Sequence, residues 1–235
     1  MRTVSWASHP RLTARGHGRC VAQAVTRIGL LAVAALTAAG ALVVYLRFEH
    51  DVAYAYGLVP LLDPAREANI PTWFSSSMLL LSAATLTIVG ARLNDTGSKG
   101  ARWWLVLAAV FALASLDETA NLHELFSRQA RRELQPGFGQ LWVLVAGPAA
   151  LVLVAVYARF MRRQDRPVCR AFTLGTALFV VGALGVELIE IVLERRQSRP
   201  LVVAGTMLAQ EVMELLGAVV LLHGSLLRLT NLPPQ

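Results

Sequence analysis

The chain has 235 residues, of which 55% are hydrophobic and 16% are charged, and its mean hydropathy is +0.53. Because soluble domains carry about a quarter charged residues, this composition excludes an ordinary soluble domain and predicts an integral membrane protein. The formal net charge of +7 does not indicate a nucleic-acid partner, because the basic residues lie in short runs between apolar stretches.

Six segments are long and apolar enough to be membrane spans. A helix needs about 20 mostly apolar residues to cross the hydrocarbon of a bilayer, and Trp and Pro residues mark several of the segment ends. The sequence therefore predicts an all-α fold, a polytopic transmembrane bundle of six helices. The predicted spans are Ile28–Leu46, Thr72–Ala91, Trp103–Leu122, Leu141–Phe160, Ala171–Leu193 and Leu201–Leu227.

The chain divides into three regions around this bundle. Residues 1–27 contain five Arg without apolar periodicity, which predicts a disordered, basic cytoplasmic tail. Residues 28–227 form a single transmembrane domain, and residues 228–235 form a short C-terminal tail. The first apolar run exceeds the 7–15 residues of a signal-peptide core, so we expect it to be retained as a span.

The basic residues also predict the orientation of the bundle. With the N-terminus inside, 14 of the 22 Lys and Arg residues fall in inner segments and 8 fall in outer segments. The positive-inside rule therefore predicts that both termini lie in the cytoplasm.

The main functional signal is the position of the acidic residues. Eight of the 15 Asp and Glu fall in or at the ends of the third, fifth and sixth spans, and no Lys or Arg lies within those spans. An intramembrane charge costs about 2.5–3.5 kcal/mol on insertion scales, so such residues face a bundle interior or a cavity. Glu194 is set aside as a rim residue, because Arg195, Arg196 and Arg199 follow it closely.

Helical spacing arranges these residues in three polar stripes. At a rise of about 1.5 Å per residue, all three stripes reach the outer half of a hydrocarbon core about 30 Å thick. We therefore expect them to meet in one site. The stripes run over Asp117, Asn121 and Glu124, over Glu187, Glu190 and Glu194, and over Gln210, Glu214 and Gly217, with Glu211 about 60° from the last.

Carboxylates this close together need a bound cation or shared protons, because they cannot all stay ionised without compensation. Carboxylates with one or two imidazoles suit Mn, Fe, Zn or Mg, so we predict a divalent metal ion without fixing its identity. His123 is the candidate imidazole, although it points about 100° away from Glu124 on an ideal helix. The predicted metal-binding residues are Asp117, Glu118, His123, Glu124, Glu187, Glu190, Glu211 and Glu214.

The spacing of the glutamates argues against a standard di-iron site, and the position of His223 argues against its being a ligand. A standard di-iron bundle carries Glu-x-x-His on two helices, but Leu193 follows Glu190 and Gly217 follows Glu214 at that spacing. His223 lies on the face opposite Glu214 and is expected to pack between helices.

Two functions of different classes fit these residues. The first is a metal-dependent enzyme that uses metal-activated water on a lipid or another hydrophobic substrate. The second is a proton-coupled or cation transporter that uses the same carboxylates, although the inner halves of the spans contain no acids. No catalytic residue is assigned. The expected partner is membrane lipid, and self-association into a homo-oligomer stays open.

Three motifs give the chain its resemblance to known sequences. Over roughly residues 28–227 it resembles a group of uncharacterised bacterial polytopic membrane proteins. This resemblance implies a six-span protein of bacterial type, expected in the cytoplasmic (inner) membrane, and implies no particular activity. The motifs are Asn-Ile-Pro-Thr-Trp-Phe-Ser-Ser at 69–76, Ser-Leu-Asp-Glu-Thr-Ala-Asn-Leu-His-Glu at 115–124 and Gln-Glu-Val-Met-Glu-Leu-Leu-Gly at 210–217.

Overall fold

In the computed structural model the described part of the chain is helical throughout, apart from turns and short connections. It covers residues 10–66, 68–122, 125, 141–186, 188–189, 192–193 and 196–232. A 3₁₀ turn, Ala55–Gly57, precedes α2, and a π-helical turn, Val181–Val186, continues α6. The α-helices are α1 (Pro10–His50), α2 (Leu58–Leu62), α3 (Ile70–Asp95), α4 (Ala101–Ala120), α5 (Leu141–Met161), α6 (Arg166–Val180) and α7 (Pro200–Thr230).

Five helical segments in the described residues have the length and apolar composition of membrane spans. They coincide with five of the six predicted spans, so the prediction of an all-helical, multi-pass membrane protein is confirmed at this level. The predicted fourth span, Leu141–Phe160, falls on α5, an apolar helix of 21 residues. The five segments are Gly16–His50, Ile70–Asp95, Ala101–Ala120, Arg166–Val186 and Pro200–Thr230.

The helices alternate in direction. Small residues bring α1 and α7 together as an antiparallel pair, since Gly18 lies beside Thr230 and Gly40 lies beside Leu208. We call the end of the bundle where α3 and α7 begin the upper end, and the opposite end the lower end. α4 runs upwards, because its first residue Ala101 lies beside Gly90, far along α3.

The N-terminal part of α1 extends the helix well beyond the predicted span. It begins at Pro10, so residues 10–27, predicted to belong to a disordered tail, are helical in the structure. Ala22 is fully buried, and the Thr26 hydroxyl lies 2.7 Å from His223 Nδ1 on α7. This contact places His223 between helices, as its position in the sequence predicted.

The lower half of the bundle is an aromatic core. Trp104, with 1% of its surface exposed, contacts the rings of Phe160 and Phe172, and the Tyr157 hydroxyl donates to the Trp103 carbonyl at 2.9 Å. These contacts bring the end of α5 and the beginning of α6 to the beginning of α4, at the lower end. The upper half, by contrast, contains the polar residues described next.

Candidate functional site

The last turn of α4 presents acidic side chains towards the bundle. Asp117 and Glu118 are both half-buried. The hydroxyl of Ser75, which is fully buried on α3, donates to Glu118 Oε1. A carboxylate that accepts such a bond is held in one orientation, because hydrogen bonds to ionised groups are among the stronger ones in proteins. Glu118 therefore faces α3.

Further hydroxyl groups join α3 to α4 beside this contact. Ser76 Oγ lies 2.9 Å from Ser115 Oγ and 2.6 Å from Thr119 Oγ1, and it donates to the Ser115 carbonyl at 2.8 Å. In return, Ser115 Oγ donates to the Ser76 carbonyl at 2.9 Å. Small hydroxyl residues allow two helices to approach closely and to hydrogen-bond across their interface. This network fixes α4 against α3 next to Glu118.

Asn121 ends α4 and leaves one buried polar atom unsatisfied. Its backbone is left-handed, with a φ of 53°, and its N–H donates to the Asp117 carbonyl at 2.7 Å. Its side-chain oxygen Oδ1 is buried and has no hydrogen-bond donor among the described residues. A buried acceptor of this kind is costly, and this one lies one turn from Asp117.

A second acidic position lies on α7. Glu214 has 8% of its surface exposed and accepts a hydrogen bond from Gln210 Nε2 at 3.1 Å. Glu211, three residues earlier, is half-buried. Gly182 lies opposite Glu214, so closely that an added Cβ would stand 3.1 Å from Glu214 Cγ. The missing side chain at Gly182 therefore makes the space that Glu214 occupies.

Gly182 belongs to the π-helical turn Val181–Val186, which follows α6 directly. Single π-helical turns within α-helices occur frequently at functional sites. This turn lies at the level of Glu214, so the chain departs from regular α-helix where α6 passes the buried carboxylate.

The two acidic positions lie at the same level of the bundle. Phe74 and Met78 of α3 pack against a small apolar cluster of Val33, Leu215 and Val219. Ser75 follows Phe74 and Leu215 follows Glu214 in the sequence, so the Ser75–Glu118 bond and Glu214 are within about one helical turn in height.

The predicted metal site is only partly covered by the structure. Asp117, Glu118, Glu211 and Glu214 are described, whereas His123, Glu124, Glu187 and Glu190 lie outside the described residues. Within the part that the structure describes, no three His, Cys, Asp or Glu side chains come close enough to share a metal ion. A complete ligand set would therefore need residues from the second group.

An ion pair at the upper end has no counterpart in the sequence analysis. Asp63, whose side chain is 2% exposed, accepts from Arg47 at 2.5 Å and lies 3.5 Å from Arg66. Asn69 caps α3 by accepting from the Thr72 N–H at 2.8 Å, and it donates to the Asp63 carbonyl at 2.9 Å. Arg47 and Arg66 lie outside the predicted spans, and the Asp between them was the sequence signal for this pair.

The serines that meet Glu118 and α4 were also missed as site residues. Ser75 and Ser76 stand in the first quoted motif, and Ser115 stands in the second. The sequence signal that could have identified them is a small hydroxyl side chain in a predicted span, at the same depth as the acidic residues.

The chain belongs to the family described as a domain of unknown function, DUF8692, which matches residues 29–229. No curated protein and no solved structure matches the chain.

Proposed function

We propose that this DUF8692 protein spans the bacterial cytoplasmic membrane six times, binds a divalent metal ion in the outer half of the bilayer and uses it on a lipid or another hydrophobic substrate. In this placement the upper end of the bundle is the outer end, and both termini are cytoplasmic. The alternation of α4, α5 and α6 supports the sixth crossing, because α4 ends at the upper end and α5 ends at the lower end. At about 1.5 Å per residue, the 21 residues of α5 are about 31 Å long.

One observation carries the proposal of a metal site. Glu118 and Glu214, on different helices, lie at one level inside an apolar bundle, and the unsatisfied oxygen of Asn121 lies one turn from Asp117. Oxygen donors of this kind are the ligands that Mg and Mn prefer, and an added imidazole also suits Zn or Fe. A cation bound beside Asp117 would satisfy the Asn121 oxygen.

The remaining predicted ligands would complete the site. His123 and Glu124 follow α4 in the sequence, and Glu187 and Glu190 follow the π-helical turn. A metal ion held by these groups would lower the pKa of a bound water and make it a nucleophile or base at neutral pH. The surroundings are apolar, which suits a hydrophobic substrate that enters from the bilayer.

The test is the metal content of the purified protein in mild detergent, measured by plasma mass spectrometry. We expect about one divalent ion per chain in the wild type and its loss in Glu118→Gln and Glu214→Gln. Glu49→Gln is the matched control, because Glu49 is exposed at the end of α1. Each variant must keep the elution volume of the wild type in size-exclusion chromatography.

Absence of metal from the wild type, or retention of the full amount in both site variants, would refute the metal site. Any hydrolytic activity found on a lipid substrate should also be lost with a chelator and restored by one preferred metal. Activity that does not respond to chelators would contradict the proposed chemistry.

The hydroxyl network favours a second function, proton-coupled or cation transport. Hydroxyl groups both donate and accept hydrogen bonds, so the chain of Ser76, Ser115 and Thr119 beside Glu118 can pass protons. The path is short, however, because the ring core around Trp104 and Phe172 fills the lower half. Metal or proton uptake into proteoliposomes that falls in Glu118→Gln would support transport, and unchanged uptake would oppose it.

A further inference from the structure

A cleft of about 390 Å³ opens at the upper end of the bundle. It lies between the end of α1, the connection after α2 and the beginning of α7. Its volume is within the range of about 300–1,000 Å³ that is usual for small-molecule sites. The lining residues are mainly apolar. Those that matter here are Arg47, Ala65, Val203, Ala204 and Met207.

Among the described residues that line the cleft, Arg47 is the charged one. Its guanidinium uses one nitrogen to bind Asp63, and 36% of its side chain remains exposed. A guanidinium has five N–H donors and matches the oxygens of a phosphate group. Asp63 itself is buried beneath Arg47 and does not line the cleft. We call the side of the cleft at Arg47 its mouth, and the apolar surface of Val203, Ala204 and Met207 its floor. The mouth therefore presents a cation beside an apolar floor.

The floor of the cleft continues towards the acidic level. At 100° per residue, Val203, Met207, Gln210 and Glu214 fall within an arc of about 60° on α7. The rise from Met207 to Glu214 is about 10 Å along the helix axis. Because Gly182 of the π-helical turn packs on Gln210 and Glu214, a chain that follows this face from Arg47 would end above Glu214.

We propose that this cleft binds one phospholipid of the outer leaflet, with its phosphate at Arg47 and an acyl chain over Val203 and Met207. The charge at the mouth matches a phosphate, and the floor matches a hydrocarbon chain. Phe48, Leu201 and Val202 beside the cleft are 39–49% exposed apolar residues, as expected for a surface in contact with lipid. The proposal rests on the membrane placement given above and names phospholipid as the substrate class, but it does not require the metal ion.

Native mass spectrometry of the detergent-solubilised protein tests this binding. The probes are phosphatidylglycerol, a diacylglycerol with the same acyl chains and glycerol phosphate without acyl chains. We expect one phosphatidylglycerol per chain, bound at least about tenfold more tightly than either probe that lacks one of its two parts. Equal binding of diacylglycerol would overturn the role of Arg47, and equal binding of glycerol phosphate would overturn the role of the apolar floor.

Variants locate the lipid in the cleft. Ala65→Trp and Met207→Trp fill it and should abolish the bound lipid, whereas Ala84→Trp, at an exposed position on α3, should keep it. Arg47→Gln should weaken phosphatidylglycerol binding about tenfold. Arg66→Gln is its matched control, since Arg66 also contacts Asp63 but does not line the cleft.

Lipid retention in Ala65→Trp and Met207→Trp at the level of the wild type would refute the site. Equal losses in Arg47→Gln and Arg66→Gln would assign the effect to Asp63 rather than to the phosphate contact, and would refute the proposed contact. Metal is measured on the same samples, with and without a chelator. Lipid that persists after chelation supports the cleft even if the metal site fails. Metal that persists in Ala65→Trp supports the metal site even if the lipid site fails.

Discussion

The two carboxylates at the centre of the candidate site lie in helix interfaces of opposite kinds. Glu118 lies in the α3–α4 interface, where hydroxyl groups of Ser75, Ser76 and Ser115 reach across between the helices. Glu214 lies in the α6–α7 interface, where Gly182 and Gly217 bring the backbones together. The first interface depends on specific hydrogen bonds, and the second depends on the absence of side chains. The first should therefore tolerate small changes in volume, whereas the second should not.

The largest effect is expected for Gly217→Ala. An added Cβ would stand 2.7 Å from the backbone nitrogen of Phe179 and 3.0 Å from the Gly175 carbonyl oxygen, so α6 and α7 must separate. We expect a loss of about 1–3 kcal/mol of stability, measured as thermal unfolding in detergent.

Gly205→Ala is the matched control on the same helix. Nothing lies within 4 Å of its added Cβ, and Ala is a better helix former than Gly by about 1 kcal/mol. Its stability should stay equal or rise. A similar loss in both variants would show that the α6–α7 contact is not the cause.

The next effect is expected for Ser75→Ala, which removes the hydroxyl bound to Glu118. The fold should change little, because the substitution adds no volume. Groups that orient metal ligands typically change metal affinity by about 10–100-fold when removed, so on the proposed function we expect metal binding about tenfold weaker. Unchanged affinity, measured by competition with a fluorescent chelator, would mean that Glu118 does not need Ser75 as an orienting donor.

A smaller effect is expected for Ser76→Ala in the α3–α4 network. Its hydroxyl contacts Ser115 and Thr119 on the other helix, and a lost hydrogen bond costs about 1 kcal/mol. The neighbouring Ser77 is the control, because its hydroxyl donates within α3, to the Trp73 carbonyl at 2.7 Å. Thermal unfolding should distinguish the two alanine variants, and equal midpoints would argue against a stabilising network.

The smallest effect is expected in a third interface, between α1 and α7. Thr26→Val removes the hydroxyl that meets His223, and contacts of this kind in membrane proteins average about 0.6 kcal/mol. Thr37→Val is the control, because the hydroxyl that it removes donates within α1, to the Val33 carbonyl at 2.8 Å. A larger loss in Thr37→Val than in Thr26→Val would contradict the assignment.

The sequence predicted much of this fold, because spans are defined by local composition. Apolar runs of about 20 residues predicted the helices. Glu214 was predicted as a site residue because a carboxylate inside an apolar span is costly. Partners across interfaces depend on which helices adjoin, and a single sequence does not contain this information. The Ser75–Glu118 bond was missed for that reason.

The sequence also did not predict where the chain departs from a regular α-helix, or where the first helix begins. A stripe counted at 100° per residue assumes an unbroken α-helix, so the π-helical turn at Val181–Val186 could not be found in this way. The helical residues before Ile28 were missed for a different reason. They have little apolar periodicity of their own and are stabilised by packing on α7, through Ala22 and Thr26.

The length of α1 offers a practical way to image the protein. Its 41 residues make a rod about 60 Å long, roughly twice the thickness of a hydrocarbon core of about 30 Å. A chain of 25.5 kDa is small for single-particle electron microscopy. A soluble helical domain fused in register to the N-terminal turns of α1 would project rigidly from the membrane and serve as an alignment marker.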